Sequence, residues 1–87
     1  MAEGYVVRIE PGAQRDLDRL DENTAQRVVD ALARLRAEPR HSGCQKLRGY
    51  EGQWRVRVGD YRVLYEIHDR ERLVRVFRIA HRREAYR

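Results

Sequence analysis

Gln53-Trp54-Arg55-Val56-Arg57-Val58-Gly59-Asp60-Tyr61-Arg62-Val63-Leu64-Tyr65-Glu66 decides the fold. It reads as two strands joined by a two-residue turn, because Gly59 takes the positive φ that a tight hairpin turn needs. With Gly59-Asp60 as the turn, Val58 faces Tyr61, Arg57 faces Arg62, Val56 faces Val63 and Arg55 faces Leu64. Side chains alternate between faces along a strand. Trp54, Val56, Val58, Tyr61, Val63 and Tyr65 therefore share a core face, and Arg55, Arg57 and Arg62 cluster on the other. Like charges opposite one another on a hairpin destabilise it by a few tenths to about 1 kcal/mol per pair. Two readings are open: a solvated basic face, or an anion site in which guanidinium forks match phosphate oxygens in pairs.

Outward from the hairpin, the chain before it is helical. Tyr5, Val7 and Ile9 alternate on a short first strand, and Pro11 suits a first helical turn. Ala13, Leu17 and Leu20 fall on one face of a first helix. Asp21-Glu22-Asn23-Thr24 interrupts it and supplies a cap for a second. There Ala25, Val28, Val29, Leu32 and Leu35 form an apolar stripe, with Arg27, Asp30, Arg34 and Glu38 outside it, until Pro39 ends the helix. Residues 40–52 read as a polar, Gly-containing loop that carries Lys46 and Arg48 to the hairpin.

After the hairpin, Asp69-Arg70-Glu71-Arg72 is a polar turn and residues 73–80 a last strand with apolar residues on both faces, as an interior strand has. Phe77 and Ile79 are assigned to the helical side, which puts Arg78 with the other arginines; a one-residue change in register reverses this. The tail, His81-Arg82-Arg83-Glu84-Ala85-Tyr86-Arg87, has cations and an aromatic ring suited to RNA, or is a frayed basic terminus. The expected architecture is α+β, β-α-α-β-β-β, with a helical hairpin on one face of a small, mainly antiparallel sheet. Residues 1–87 are expected to form one domain, since a chain this short buries only about 60–65% of its unfolded surface.

The net charge is +5. It is uneven: residues 1–45 hold 7 Lys+Arg against 8 Asp+Glu, and residues 46–87 hold 12 against 6. The excess in the hairpin half favours a polyanionic partner there. There is no long apolar run and no basic amphipathic helix with an aromatic face, which disfavours a membrane. One cysteine, Cys44, cannot form an internal disulfide, and no signal peptide is recognisable; both suit the cytoplasm. No Cys/His set has zinc spacing, and no Gly-rich phosphate loop occurs.

Four segments, taken in order, resemble the recurring motifs of the RelE/ParE toxin superfamily of bacterial toxin–antitoxin systems: Gln45-Lys46-Leu47-Arg48-Gly49, Trp54-Arg55-Val56-Arg57, Gly59-Asp60-Tyr61-Arg62-Val63-Leu64-Tyr65 and Ala80-His81-Arg82-Arg83-Glu84-Ala85-Tyr86. The similarity spans essentially the whole chain. Within the superfamily the RelE branch cuts messenger RNA in the ribosomal A site, whereas the ParE branch inhibits DNA gyrase and generally lacks the RNA-cutting set. By position that set falls on Arg55, Arg57, Arg62, Arg82 and Tyr86, which favours the RelE branch. In the best-known RelE pattern the alternating cations are lysines, and the tail before the tyrosine is about one residue longer.

The resemblance implies attack of a ribose 2′-hydroxyl on the adjacent phosphate, without a metal or cofactor. In that scheme Arg57 and Arg62 clamp the phosphate, Arg55 positions it, and Tyr86 stacks on a base or braces the 2′-oxygen. His81 is either the acid–base group or a histidine hydrogen-bonded at a strand end. Lys46, Arg48, Arg78 and Arg83 are candidate RNA contacts. The implied partners are a RelB-like antitoxin, acidic and partly disordered, and ribosome-bound message. A non-catalytic basic RNA-binding module is the remaining alternative.

Overall fold

The computed structural model describes residues 4–49 and 52–84. The order is β1 (Val6–Ile9), α1 (Pro11–Asp18), α2 (Glu22–Ala37), β2 (Cys44–Lys46), β3 (Gln53–Val58), β4 (Tyr61–His68) and β5 (Leu73–His81). The five strands form one sheet in the order β1-β5-β4-β3-β2. β1 runs parallel to β5, and every other neighbouring pair is antiparallel. The helical hairpin carries the chain from one sheet edge to the other and covers one face, as an α+β layer fold requires.

Local chemistry sets the helix ends. Pro11 opens α1, where its missing N–H costs nothing. The Asp21 carboxylate accepts from the Thr24 N–H at 3.2 Å and caps α2. Ala13, Val28 and Leu35 are fully buried, and Leu32 lies close beside them. Val29, expected in the stripe, is 44% exposed, because the α2 contact with the sheet is narrower than the apolar pattern.

The β3–β4 hairpin has the expected register throughout: Val58 pairs with Tyr61, Arg57 with Arg62, Val56 with Val63, and Arg55 with Leu64. Val56, Val58, Val63 and Tyr65 are buried under the helices, and Trp54 and Tyr61 pack at the margin of the same core. The Tyr65 hydroxyl satisfies itself inside the core by donating to the Pro39 carbonyl at 2.7 Å.

Two expectations need correction. Cys44–Lys46, read as loop, is a strand on the outer edge of the hairpin, pairing with Trp54–Val56. In β5, Val74 and Val76 face the helices together with Ile79, and all three are buried. They share a face despite the odd spacing because β5 bulges: Tyr65 pairs with Val76 and Leu64 with Arg78, leaving half-buried Phe77 as the extra residue. A bulge inserts one residue and so reverses the facing of the strand beyond it. Ile79 and Arg78 lie on the expected faces; Val74 and Val76 do not.

Candidate nucleic-acid interface

The sheet face turned away from the helices is built from alternate residues of β2 to β5. Gln45, Arg55, Leu64 and Arg78 form one cross-strand row. Arg57, Arg62 and Ala80 form the next, nearer the hairpin turn. Directly outside a two-residue turn and its closing pair, Arg57 and Arg62 are a non-hydrogen-bonded pair, with Cα atoms about 4.5 Å apart. Ala80 beside them adds only a methyl group, so the row has a low floor at that end.

Little on the chain itself neutralises these cations. Among the described residues, the ion pairs join Arg40 to Asp69, Arg75 to Glu10 and Glu66, and His68 to Glu66. Glu66 is the nearest carboxylate along the same face of β4, and it is already engaged. Burial pulls its carboxyl upward, but the hydrogen bonds from His68 and Arg75 outweigh burial and hold it below its usual value. Arg55 donates from Nη2 to Gln45 Oε1, a neutral acceptor that orients the guanidinium and leaves its charge intact. Arg62 Nε and Nη1 are buried and have no hydrogen-bond partner among the described residues. Buried polar groups are normally satisfied, so this guanidinium edge is an exception on the arginine face.

The tail is tied to this end of the sheet. The Arg82 N–H donates to the Asp60 carbonyl in the hairpin turn at 2.7 Å. Arg82 itself lies in the turn that follows β5 and is exposed. His81 falls on the helical side. Its ring meets Tyr61 edge-on at 5.5 Å, and its Nδ1 accepts from the Arg83 N–H at 3.3 Å. It lines a small cavity of about 190 Å³ with Asp16, Arg19 and Tyr61. Arg78, one of the outer-face arginines, lines the same cavity, so His81 sits at the strand end within its reach.

The structure thus brings Arg55, Arg57, Arg62 and Arg78 onto one face, with the backbone of Arg82 tied to the hairpin turn. It does not bring in the other expected RNA contacts. Lys46 pairs with Trp54 and so shares the helix-facing side of the sheet, Arg48 lies in the β2–β3 turn at the far end, and Arg83 sits exposed beyond β5. Tyr86 lies outside the described residues. Sequence reasoning missed Gln45 as the orienting partner of Arg55, because a three-residue strand shows too little alternation to be recognised.

Sequence and fold are both similar to those of known proteins. The sequence profile of the family described as the ParE toxin of the type II toxin–antitoxin system parDE matches residues 7–86. Toxin RelG of Mycobacterium tuberculosis is 37% identical over 84 residues, covering 95% of this chain and 97% of RelG. Among solved structures, the toxin–antitoxin complex RelBE2 of the same organism superposes with a TM-score of 0.79 at 34% identity, covering 90% of this chain and 98% of the matched one. The archaeal RelE–RelB complex of Pyrococcus horikoshii gives 0.80 at 26% identity, covering 94% and 99%.

Proposed function

This chain belongs to the ParE toxin family of type II toxin–antitoxin systems, in its RelE branch, and on that premise we propose that it is a metal-independent endoribonuclease that cuts messenger RNA on the ribosome. The observation that carries the proposal is the Arg57–Arg62 pair: two adjacent guanidiniums without a carboxylate among the described residues, one of them with a buried, unsatisfied edge. A scissile phosphodiester supplies the missing acceptors.

In the proposed reaction the 2′-oxygen attacks the adjacent phosphorus. The new 2′-O–P bond forms as the P–O5′ bond breaks, leaving a 2′,3′-cyclic phosphate and a 5′-hydroxyl. Negative charge grows on the non-bridging oxygens in the transition state. Arg57 and Arg62 meet it, and Arg55, held by Gln45, orients the backbone. Preorganised donors at developing charge are commonly worth about 3–4 kcal/mol each. One proton leaves the 2′-oxygen and one reaches O5′. Free arginine, which holds its proton far above neutral pH, is a poor shuttle. We assign His81 to holding the strand end, so the proton traffic falls to the arginines in the bound complex or to ribosomal groups. Arg82 and Arg78 contact flanking phosphates, and Tyr86 stacks on a base. The natural partner is a RelB-like antitoxin, and the site of action is wherever ribosomes translate, the cytoplasm.

The test is incubation of the purified toxin with ribosomes paused on a defined message. The proposal expects cleavage within the A-site codon, with 5′-hydroxyl and 2′,3′-cyclic phosphate ends. Intact message together with inhibition of DNA gyrase would place the chain in the gyrase-directed mode of the family. RNA binding without new ends would make it a passive binding module.

A further inference from the structure

Arg57 belongs to two surfaces. On the outer face it pairs with Arg62; at the edge of β3 it also lines a groove of about 380 Å³ between that strand and α2. The other polar residues of the groove are Arg27, Asp30 and Arg34, and its apolar lining is Ala31 and Val58. The groove lies where β2 has ended: β2 pairs with β3 only as far as Val56, so beyond it the strand edge meets α2 directly.

Arg27 and Arg34 are two turns apart on α2, about 10 Å along the axis, and so lie on nearly the same face. Arg27 rests on the hairpin turn: a Cβ at Gly59, whose φ is +59°, would sit 3.0 Å from Arg27 Nη1. Asp30 accepts from Gln26 Nε2 at 3.0 Å, and among the described residues none of the three arginines forms an ion pair. Arg34 also depresses the protonation of His41 behind it, after the larger effect of that ring's burial.

We propose that this groove is a second phosphate subsite, through which a single RNA strand held at Arg57–Arg62 continues round the edge of β3 onto Arg27 and Arg34. The inference rests on the RNA reading of the outer face. Continuity through Arg57 favours RNA: one backbone can serve both surfaces, with three arginines in the groove against one carboxylate, Asp30. The lining disfavours a peptide, since Ala31 and Val58 offer no pocket for the large apolar anchors on which peptide affinity rests.

Binding of a 2′-O-methyl RNA 12-mer, which cannot be cleaved, tests this when measured by fluorescence anisotropy across a salt series. A trinucleotide serves as the short ligand. Arg27→Gln/Arg34→Gln is compared with Arg8→Gln/Arg70→Gln, which removes the same charge from exposed positions away from the groove, and thermal melts check that both variants fold. Each phosphate contact on a single strand contributes about 0.7 to the log–log salt slope. The groove variant should bind the 12-mer about tenfold more weakly, with a slope shallower by about 1.4. It should bind the trinucleotide like the wild type, and the control should keep the wild-type slope. If the groove variant binds the 12-mer as the wild type does, the subsite is overturned while the outer-face reading stands; loss of antitoxin affinity alone would make the groove a peptide site. If the wild type binds neither RNA, the outer-face reading falls and the subsite with it.

Discussion

Arg62 is where stability and function pull in opposite directions. Its Nε and Nη1 are buried without a partner among the described residues. An unsatisfied buried polar group costs about 1–3 kcal/mol, and a charged one more. Methionine keeps most of the stem and removes that cost. Arg62→Met is therefore expected to raise Tm, by roughly 4–8 °C for each kcal/mol regained in a domain of this size, while slowing cleavage by about a hundredfold to a thousandfold. A melt that falls instead would mean the guanidinium is satisfied in the free protein. His81 makes the contrasting case. Its edge-on contact with Tyr61 is worth about 0.5–1.5 kcal/mol if it behaves as other aromatic pairs do. His81→Ala should lower Tm by a few degrees and leave the single-turnover cleavage rate within about threefold of the wild type; a loss above tenfold would return the proton transfer to this residue.

At the scale of elements, the far end of the sheet is held by a network that sequence pattern does not advertise. Asp69, in the β4–β5 turn, accepts from the Tyr5 hydroxyl at 2.7 Å and from Arg40 Nη1 and Nη2 at 3.0 and 2.8 Å. The Arg40 bonds, with Tyr5 next, hold the Asp69 carboxyl down at about 2. An unfolded aspartate titrates near 3.9. Because the folded value is the lower, the stabilisation is complete above the unfolded value and fades as pH falls toward 2. Urea midpoints should therefore separate wild type from Asp69→Asn at pH 6 and converge between pH 4 and 2; a constant gap would mean the carboxylate charge is not what the network uses. Gly59 is a second element-level test. At φ +59° with Arg27 Nη1 over its Cβ position, Gly59→Ala should cost about 1–2 kcal/mol in thermal unfolding. The hairpin that carries the arginines could be read residue by residue, because a two-residue turn leaves one register and alternation does the rest. β5 could not, since its apolar residues lie on both sides of a bulge at Phe77 and no local pattern marks the inserted residue. The parallel pairing of β1 with β5 is equally silent in sequence, being decided by where the helical hairpin delivers the chain. Arg27 and Arg34 could be placed off the apolar stripe of α2, but only packing sets them beside Arg57.

On the scale of the whole molecule, the helices take one face of the sheet and leave the other to charge. The sheet half of the chain carries the cationic excess. Two of its carboxylates are drawn into pairs at the end away from the hairpin turn, Glu66 with Arg75 and His68, and Asp69 with Arg40. What is left at the turn end is a row of arginines that forms no ion pair among the described residues, in a family whose members are toxins paired with antitoxins. On the proposed reading, folding stability is given up to keep these guanidiniums ready for a phosphate. The most direct test is the single-turnover rate of cleavage of ribosome-bound message by Arg62→Met against the wild type. The account predicts a fall of about a hundredfold to a thousandfold, the usual cost of removing one preorganised donor, from a protein that melts no earlier than the wild type. A folded Arg62→Met protein that cuts the message within threefold of the wild-type rate would contradict it.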